Sequence, residues 1–148
     1  MFNPIGTIKN AQTDKIDQNW GEIESEILVD KDLQDGLLGL EQFSHIVVVF
    51  HLDQAQFIKE KHLVRRQRDR EDLPIMGIFA QRSKDRPNAI GLSTVKLLSI
   101  QENIVKVKGL DAINGTPVLD IKPYYPAHDT PTDAILPEWV EELMRRYY

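Results

Sequence analysis

The sequence predicts an all-β fold, mainly an antiparallel β-barrel with a C-terminal α-helix, in a single domain spanning residues 1–148. Six or seven short segments have strand character, and helical periodicity is confined to two places. One segment, HIVVVFHL (45–52), is apolar on both faces, as a central strand is. The chain has 148 residues and 41% hydrophobic content, enough for one core.

The elements follow in order. FNPIGTI (2–8) reads as an edge strand, where Pro4 is tolerated. Ile23, Ser25, Ile27 and Val29 alternate with Glu24 and Glu26, giving one buried and one wet face. Asp32–Leu40 has room for one short turn of helix. His45–Leu52 is the central strand. Between Leu52 and Met76 no period is visible, and loops of that length are functional or disordered. Met76–Gln81 and Ala89–Ile100 are further strands. Ile104–Lys108 alternates valine with lysine. Val118–Lys122 follows an Asn114-Gly115 turn signal. Pro137–Tyr148 is a terminal helix, with Pro137 in its first turn, acids early and Arg145 and Arg146 late. Its apolar stripe of Trp139, Val140, Leu143, Met144 and Tyr147 packs on the body or forms a dimer contact.

Several classes are excluded. With no cysteine there is no disulfide framework, thiolate zinc site or iron–sulfur cluster. No apolar run approaches the ~18 residues of a membrane helix, and Met1–Lys9 lacks a signal-peptide layout. The expectation is a cytoplasmic protein with no membrane partner. The glycines form no G-x-G-x-x-G, and neither a Walker loop nor G-x-S-x-G is present. His45 and His51 share a strand face but lie about 20 Å apart, too far to share an ion, so no metal is expected.

Charge is uneven. Residues 59–86 hold nine Lys/Arg against five Asp/Glu, a local +4 in a chain whose net charge is −5. Such a segment is either a phosphate-binding footprint or a solvated loop.

Two segments are dense in chemistry. GIFAQRSKDRPNAIGLS (77–93) reads as a rigid hairpin presenting Arg82, Arg86 and Asn88, suited to a small anionic or zwitterionic ligand. GLDAINGTPVLDIKPY (109–124) is a polar turn feeding a strand. Asp120, in that apolar strand, either backs a site or pairs with an arginine such as Arg82 or Arg86.

These segments resemble the TsaA-like (TrmO) tRNA methyltransferase family. GIFAQRSKDRPNAIGLS is similar to one family motif, and GLDAINGTPVLDIKPYYP to a second. LEQFSHIVVVFHL and IGTIKN resemble two shorter stretches, so the likeness runs from about Ile5 to Pro126. The chain departs from the pattern at Ala89 (usually Pro), at Asn114 (usually Asp) and at Asp17–Gly21, where the family has a Gln-Pro-Gly loop. In ending on one helix it resembles the short members, without the C-terminal domain of the long ones.

The resemblance implies a barrel that binds S-adenosylmethionine, a homodimer with cofactor sites near the subunit interface, and N6-methylation of (threonylcarbamoyl-)adenosine beside the tRNA anticodon. By matched motif it implies cofactor contacts from His51, Leu52, Arg82, Leu92 and the turn Asp111, Ala112, Ile113, Asn114, Gly115. Arg65, Arg66 and Arg68, with Arg86 and Asn88, are the expected tRNA contacts. Asp111, His51 and Asp120 are candidate proton acceptors, with no choice among them. Trp20 either stacks on adenine or packs in the core. The alternatives are a barrel that binds the same cofactor but acts on a small molecule or as a sensor, and an RNA-binding module without cofactor.

Overall fold

The computed structural model describes residues 1–13, 19–145 and 147. Its strands are β1 (Gly6–Lys9), β2 (Glu24–Val29), β3 (His45–His51), β4 (Val64–Arg66), β5 (Ile75–Gly77), β6 (Ile90–Gln101), β7 (Ile104–Lys108) and β8 (Pro117–Pro123). Three short helices join them: α1 (Lys59–His62), α2 (Pro126–Asp129) and α3 (Glu138–Met144). Six antiparallel strands close a barrel in the order β1-β2-β7-β6-β3-β8, and β4-β5 form a separate ribbon.

The alternation seen in the sequence sets the inside of the barrel. Ser25, Ile27 and Val29 on β2, Ile46, Val48 and Phe50 on β3, and Val105 and Val107 on β7 are all buried. Register aligns them: Val48 lies opposite Ser93 on β6 and Ile121 on β8, and Ile27 opposite Val105. Leu110, Ala112 and Val118 complete the core cluster.

Several expectations are corrected. The N-terminal strand is no edge: β1 pairs with both β2 and β8 and closes the barrel, with Pro4 lying just before it. Met76–Gln81 is not a barrel strand. Only Ile75–Gly77 pairs, with Val64–Arg66, and Ile78–Ala80 turns as a 3-10 helix. The 77–93 segment is therefore not a hairpin, because β6 pairs with β3 and β7 instead. The aperiodic 52–76 stretch is ordered, holding α1 and β4. Asp32–Leu40 forms 3-10 turns at Lys31–Leu37 and Leu40–Gln42. The terminal helix is shorter than its pattern, Glu138–Met144, with Pro137 as its N-cap. Leu143 is buried, while Met144 is 40% exposed. Arg146 and Tyr148 lie outside the described residues.

Asp120 does not pair with an arginine. At a bulge in β8, Val49 faces Asp120 while Phe50 faces Val118, so Leu119 is the extra residue. Val118 and Ile121 thus both pack into the core, and Asp120 turns outward to meet Lys122 Nζ at 2.8 Å. That contact raises the Lys122 ammonium above its ordinary value.

One glycine is required by close approach. A Cβ on Gly91 would sit 2.2 Å from Cε2 of the buried Phe50 ring, its partner across the β3–β6 ladder. Gly91→Ala is expected to lower stability by roughly 1–3 kcal/mol, the range for overpacking a tight core. Urea unfolding measures it, as a lower midpoint at unchanged slope.

Candidate functional site

At one end of the barrel the chain forms a half-open cavity of about 900 Å³, within the size range of small-molecule sites. Phe50 and Ala112 belong both to its lining and to the barrel core, so the barrel interior is its floor. Leu52–Ala55 after β3, the 81–86 turn, Leu92 on β6 and Asp111–Ile113 form its sides. Trp20, Met144 and Tyr147 form the remaining wall, with Arg65 and Arg68 beside them.

The side chains of the 81–86 turn hold it closed. Gln81 is 4% exposed; its Nε2 donates to the carbonyls of Arg65 (3.0 Å) and Met76 (2.8 Å). Its Oε1 accepts from the Ser83 hydroxyl at 3.1 Å. Arg86 Nη1 donates to the Gln81 (2.9 Å) and Ser83 (3.2 Å) carbonyls. A guanidinium so used braces the loop, leaving Arg82 exposed at the rim, where Nη2 donates to the Leu92 carbonyl at 3.2 Å. Arg82 and Leu92, which share expected cofactor contacts, are thus brought into direct contact.

Asp85 ties this turn to the segment after β3. Its carboxylate accepts from Gln56 N–H at 3.1 Å and faces Lys84 Nζ at 3.3 Å. His62 Nδ1 accepts from Ile58 N–H (2.8 Å), so the ring proton is on Nε2, 3.9 Å from Asp85. Burial pushes the Asp85 carboxyl up, but the Gln56 N–H, Lys84 and His62 outweigh it and hold the carboxyl below its usual range.

Asp111 carries the other charge inside. Its Oδ2 accepts from the Tyr147 hydroxyl, while its buried Oδ1 has no donor among the described residues. It lies on a stretch fixed on both sides: Leu110 is fully buried, and Ala112 is 2% exposed. Gly115 makes the following turn at φ 89°, donating to the Ile8 carbonyl at 2.8 Å.

Of the residues singled out in the sequence, Leu52, Arg82, Leu92, Asp111, Ala112 and Ile113 line this cavity, together with Arg65, Arg68, Arg86 and Asn88. Four do not. His51 is exposed on the outer face of β3. Asn114 accepts from Asn10 N–H through its Oδ1 at 3.1 Å, and Gly115 lies in the turn beyond it. Arg66 donates to the Leu73 carbonyl. Trp20 is 3% exposed and lines the cavity as well as being buried. Asp17 and Gln18 lie outside the described residues. The basic segment is largely paired within the chain: Arg65 with Asp69 (3.1 Å), Arg70 with Asp72, and Arg68 on the Leu143 carbonyl at 3.2 Å. Sequence reasoning missed Gln81 and Tyr147. The signal for Tyr147 was its place at the end of the apolar stripe, with a hydroxyl that needs a partner.

A second, open groove of about 1100 Å³ runs along the outside of β3, β6 and β8, past Val47, Thr94, Lys122 and Tyr124. Among the described residues the two share Arg82 and Leu92. Among the described residues no three His, Asp or Glu side chains are placed to hold a metal, and no helix is long and apolar enough to cross a membrane.

Residues 11–130 match the sequence model of the tRNA-methyltransferase O N-terminal domain. An S-adenosyl-L-methionine-binding protein of Archaeoglobus fulgidus is 37% identical over 133 residues, covering 87% of this chain and 92% of that one. A probable S-adenosyl-L-methionine-binding protein of Pyrococcus abyssi is 36% identical, and this chain spans 84% of itself and 65% of that relative. The human tRNA (adenine(37)-N6)-methyltransferase is 41% identical over 107 residues, 70% of this chain but 23% of the human one. Among solved structures, TrmO from Pseudomonas aeruginosa superposes with a TM-score of 0.76 at 30% identity, covering 94% of this chain and 61% of that chain.

Two outcomes test the site's construction. Gln81→Ala removes two side-chain hydrogen bonds to part-buried carbonyls and is expected to cost about 1–3 kcal/mol in chemical denaturation. A carboxyl lowered in the fold stabilises it above its unfolded value and loses that effect as pH falls through the folded value. Asp85→Asn is therefore expected to melt below the wild type at pH 7, with the gap closing as pH drops below about 4. Thermal melts across that range measure it.

Proposed function

The chain belongs to the tRNA-methyltransferase O family, and from that footing we propose that it is an S-adenosylmethionine-dependent methyltransferase. Its substrate in this reading is N6 of (threonylcarbamoyl-)adenosine beside the tRNA anticodon. The observation that carries the reading is the convergence of two sequence-distant motifs, 77–93 and 109–126, on the one cavity at the barrel end.

The lining suits that cofactor chemically. Tyr147 offers an aromatic ring to an adenine, and Leu52 and Ile113 an apolar bed backed by the buried Trp20 and Phe50. Arg82 at the rim matches a carboxylate. Asp111, with its undonated Oδ1, matches a protonated amine or a ribose hydroxyl. When bound, S-adenosylmethionine supplies an electrophilic methyl group on a sulfonium. This chain's residues bind and orient it over the apolar floor. Alignment alone contributes up to ~7–11 kcal/mol in well-positioned systems.

The acceptor reaches this site at the Arg82–Leu92 rim, where cavity and outer groove join. Exposed Lys59 and Lys61 of the 59–70 segment are available to phosphates. We further propose a homodimer acting in the cytoplasm. The exposed apolar Val64 and Ile75, on one face of the β4–β5 ribbon, support a self-contact there.

Calorimetric titration with S-adenosylmethionine is expected to show saturable micromolar binding, weakened about tenfold or more by Arg82→Ala, as for loss of a charged hydrogen bond. Incubation with unmodified and threonylcarbamoylated tRNA, read by nucleoside mass spectrometry, is expected to give the N6-methyl product on the latter. Binding without methylation of any tRNA points to the small-molecule or sensor reading. No binding up to millimolar cofactor overturns the assignment.

A further inference from the structure

Tyr147 lies beyond residues 11–130, the part of the chain that matches the family. It nevertheless lines the candidate site. Resting on the cofactor reading above, we infer that Tyr147 is a positioning residue: its hydroxyl clamps Asp111 so that Oδ1 is the oxygen presented to the cofactor's donor, a protonated amine or a ribose hydroxyl.

The contacts run in a chain. Arg68 Nη1 donates to the Leu143 carbonyl at 3.2 Å, fixing the end of α3 against the basic segment. Tyr147 N–H donates to the Met144 carbonyl at 3.0 Å, and Trp20 N–H donates to the Tyr147 carbonyl at 2.8 Å. The Arg68 guanidinium lies over the Tyr147 ring, 5.7 Å from its centroid. Backbone and ring are thus held before the hydroxyl makes its bond to Asp111.

Leu110 and Ala112 fix the backbone around Asp111, but the carboxylate would otherwise rotate about its own torsions. With Oδ2 taken by Tyr147, that rotation is restricted. Oδ1 is buried with no donor among the described residues, an arrangement a free protein tolerates at a cost and a bound donor relieves. Asp111, Trp20, Arg68 and Tyr147 all line the same cavity, so a ligand there touches the clamp as well as the carboxylate.

The test is a double-mutant cycle read by calorimetric titration with S-adenosylmethionine. Tyr147→Phe keeps the ring under Arg68 and removes only the hydroxyl. It is expected to weaken binding about tenfold, as for loss of a hydrogen bond to a charged group. Asp111→Asn weakens binding on its own. Adding Tyr147→Phe to Asp111→Asn is expected to cause little further loss, because the hydroxyl acts through the carboxylate. A merely structural tyrosine gives the same tenfold loss in both backgrounds, and that additivity overturns the inference. So does wild-type or tighter affinity in Tyr147→Phe, the latter meaning that the hydroxyl competes with the ligand. Wild-type protein that binds no cofactor overturns the reading of the site and this inference with it; wild-type binding left unchanged by Tyr147→Phe overturns this inference alone.

Discussion

The four residues of β1 hold the architecture together. They pair with β2 on one side and β8 on the other, turning a five-stranded sheet into a closed barrel. Closure removes the free edges that would otherwise invite pairing with another chain. It also draws the start of the chain against the 112–116 turn. Asn10 bridges that turn, its side chain donating to Ser25 Oγ and the Ala112 carbonyl, each at 2.9 Å. The cavity's Asp111–Ile113 wall is therefore positioned by a strand with no residue in the site.

The same economy governs the arginines. Composition marks 59–86 as a basic segment, and a basic segment suggests an outward-facing surface. Here much of that charge is directed inward at backbone carbonyls: Arg66 to Leu73, Arg68 to Leu143, Arg86 to Gln81 and Ser83. A guanidinium satisfies several carbonyls at once in a fixed plane. That lets a stretch with little regular secondary structure stay ordered beside the barrel. The carbonyls of irregular loops need donors as much as those of strands do, and arginine supplies them where no ladder exists.

Cavity and groove meeting at Arg82 and Leu92 suggest a division of labour between the barrel end and its outer face. The cavity at the barrel end is floored by Phe50 and Ala112, and the groove runs along the outer side of β3, β6 and β8. The rim between them is set by one hydrogen bond, Arg82 to the Leu92 carbonyl, so the position of the turn and that of β6 are coupled there.

The sequence by itself determined the barrel's inner face and the two motifs. Strict alternation in β2 and β7 leaves one way for those strands to face, because side chains alternate along a strand with period two, and the doubly apolar run of β3 marked a strand without choosing its inner face. The long motifs likewise marked Arg82, Leu92 and Asp111 without any geometry. Only the tertiary structure decided the rest. Periodicity is silent on which strands pair, so β1 read as an edge and Met76–Gln81 as a strand of the barrel. It is equally silent on bulges, and the extra Leu119 turned Asp120 away from the arginines expected to meet it. Finally, local pattern cannot show which distant carbonyl a side chain will find. Gln81 and Tyr147 take their roles from partners 16 and 36 residues away, contacts that exist only once the chain has folded.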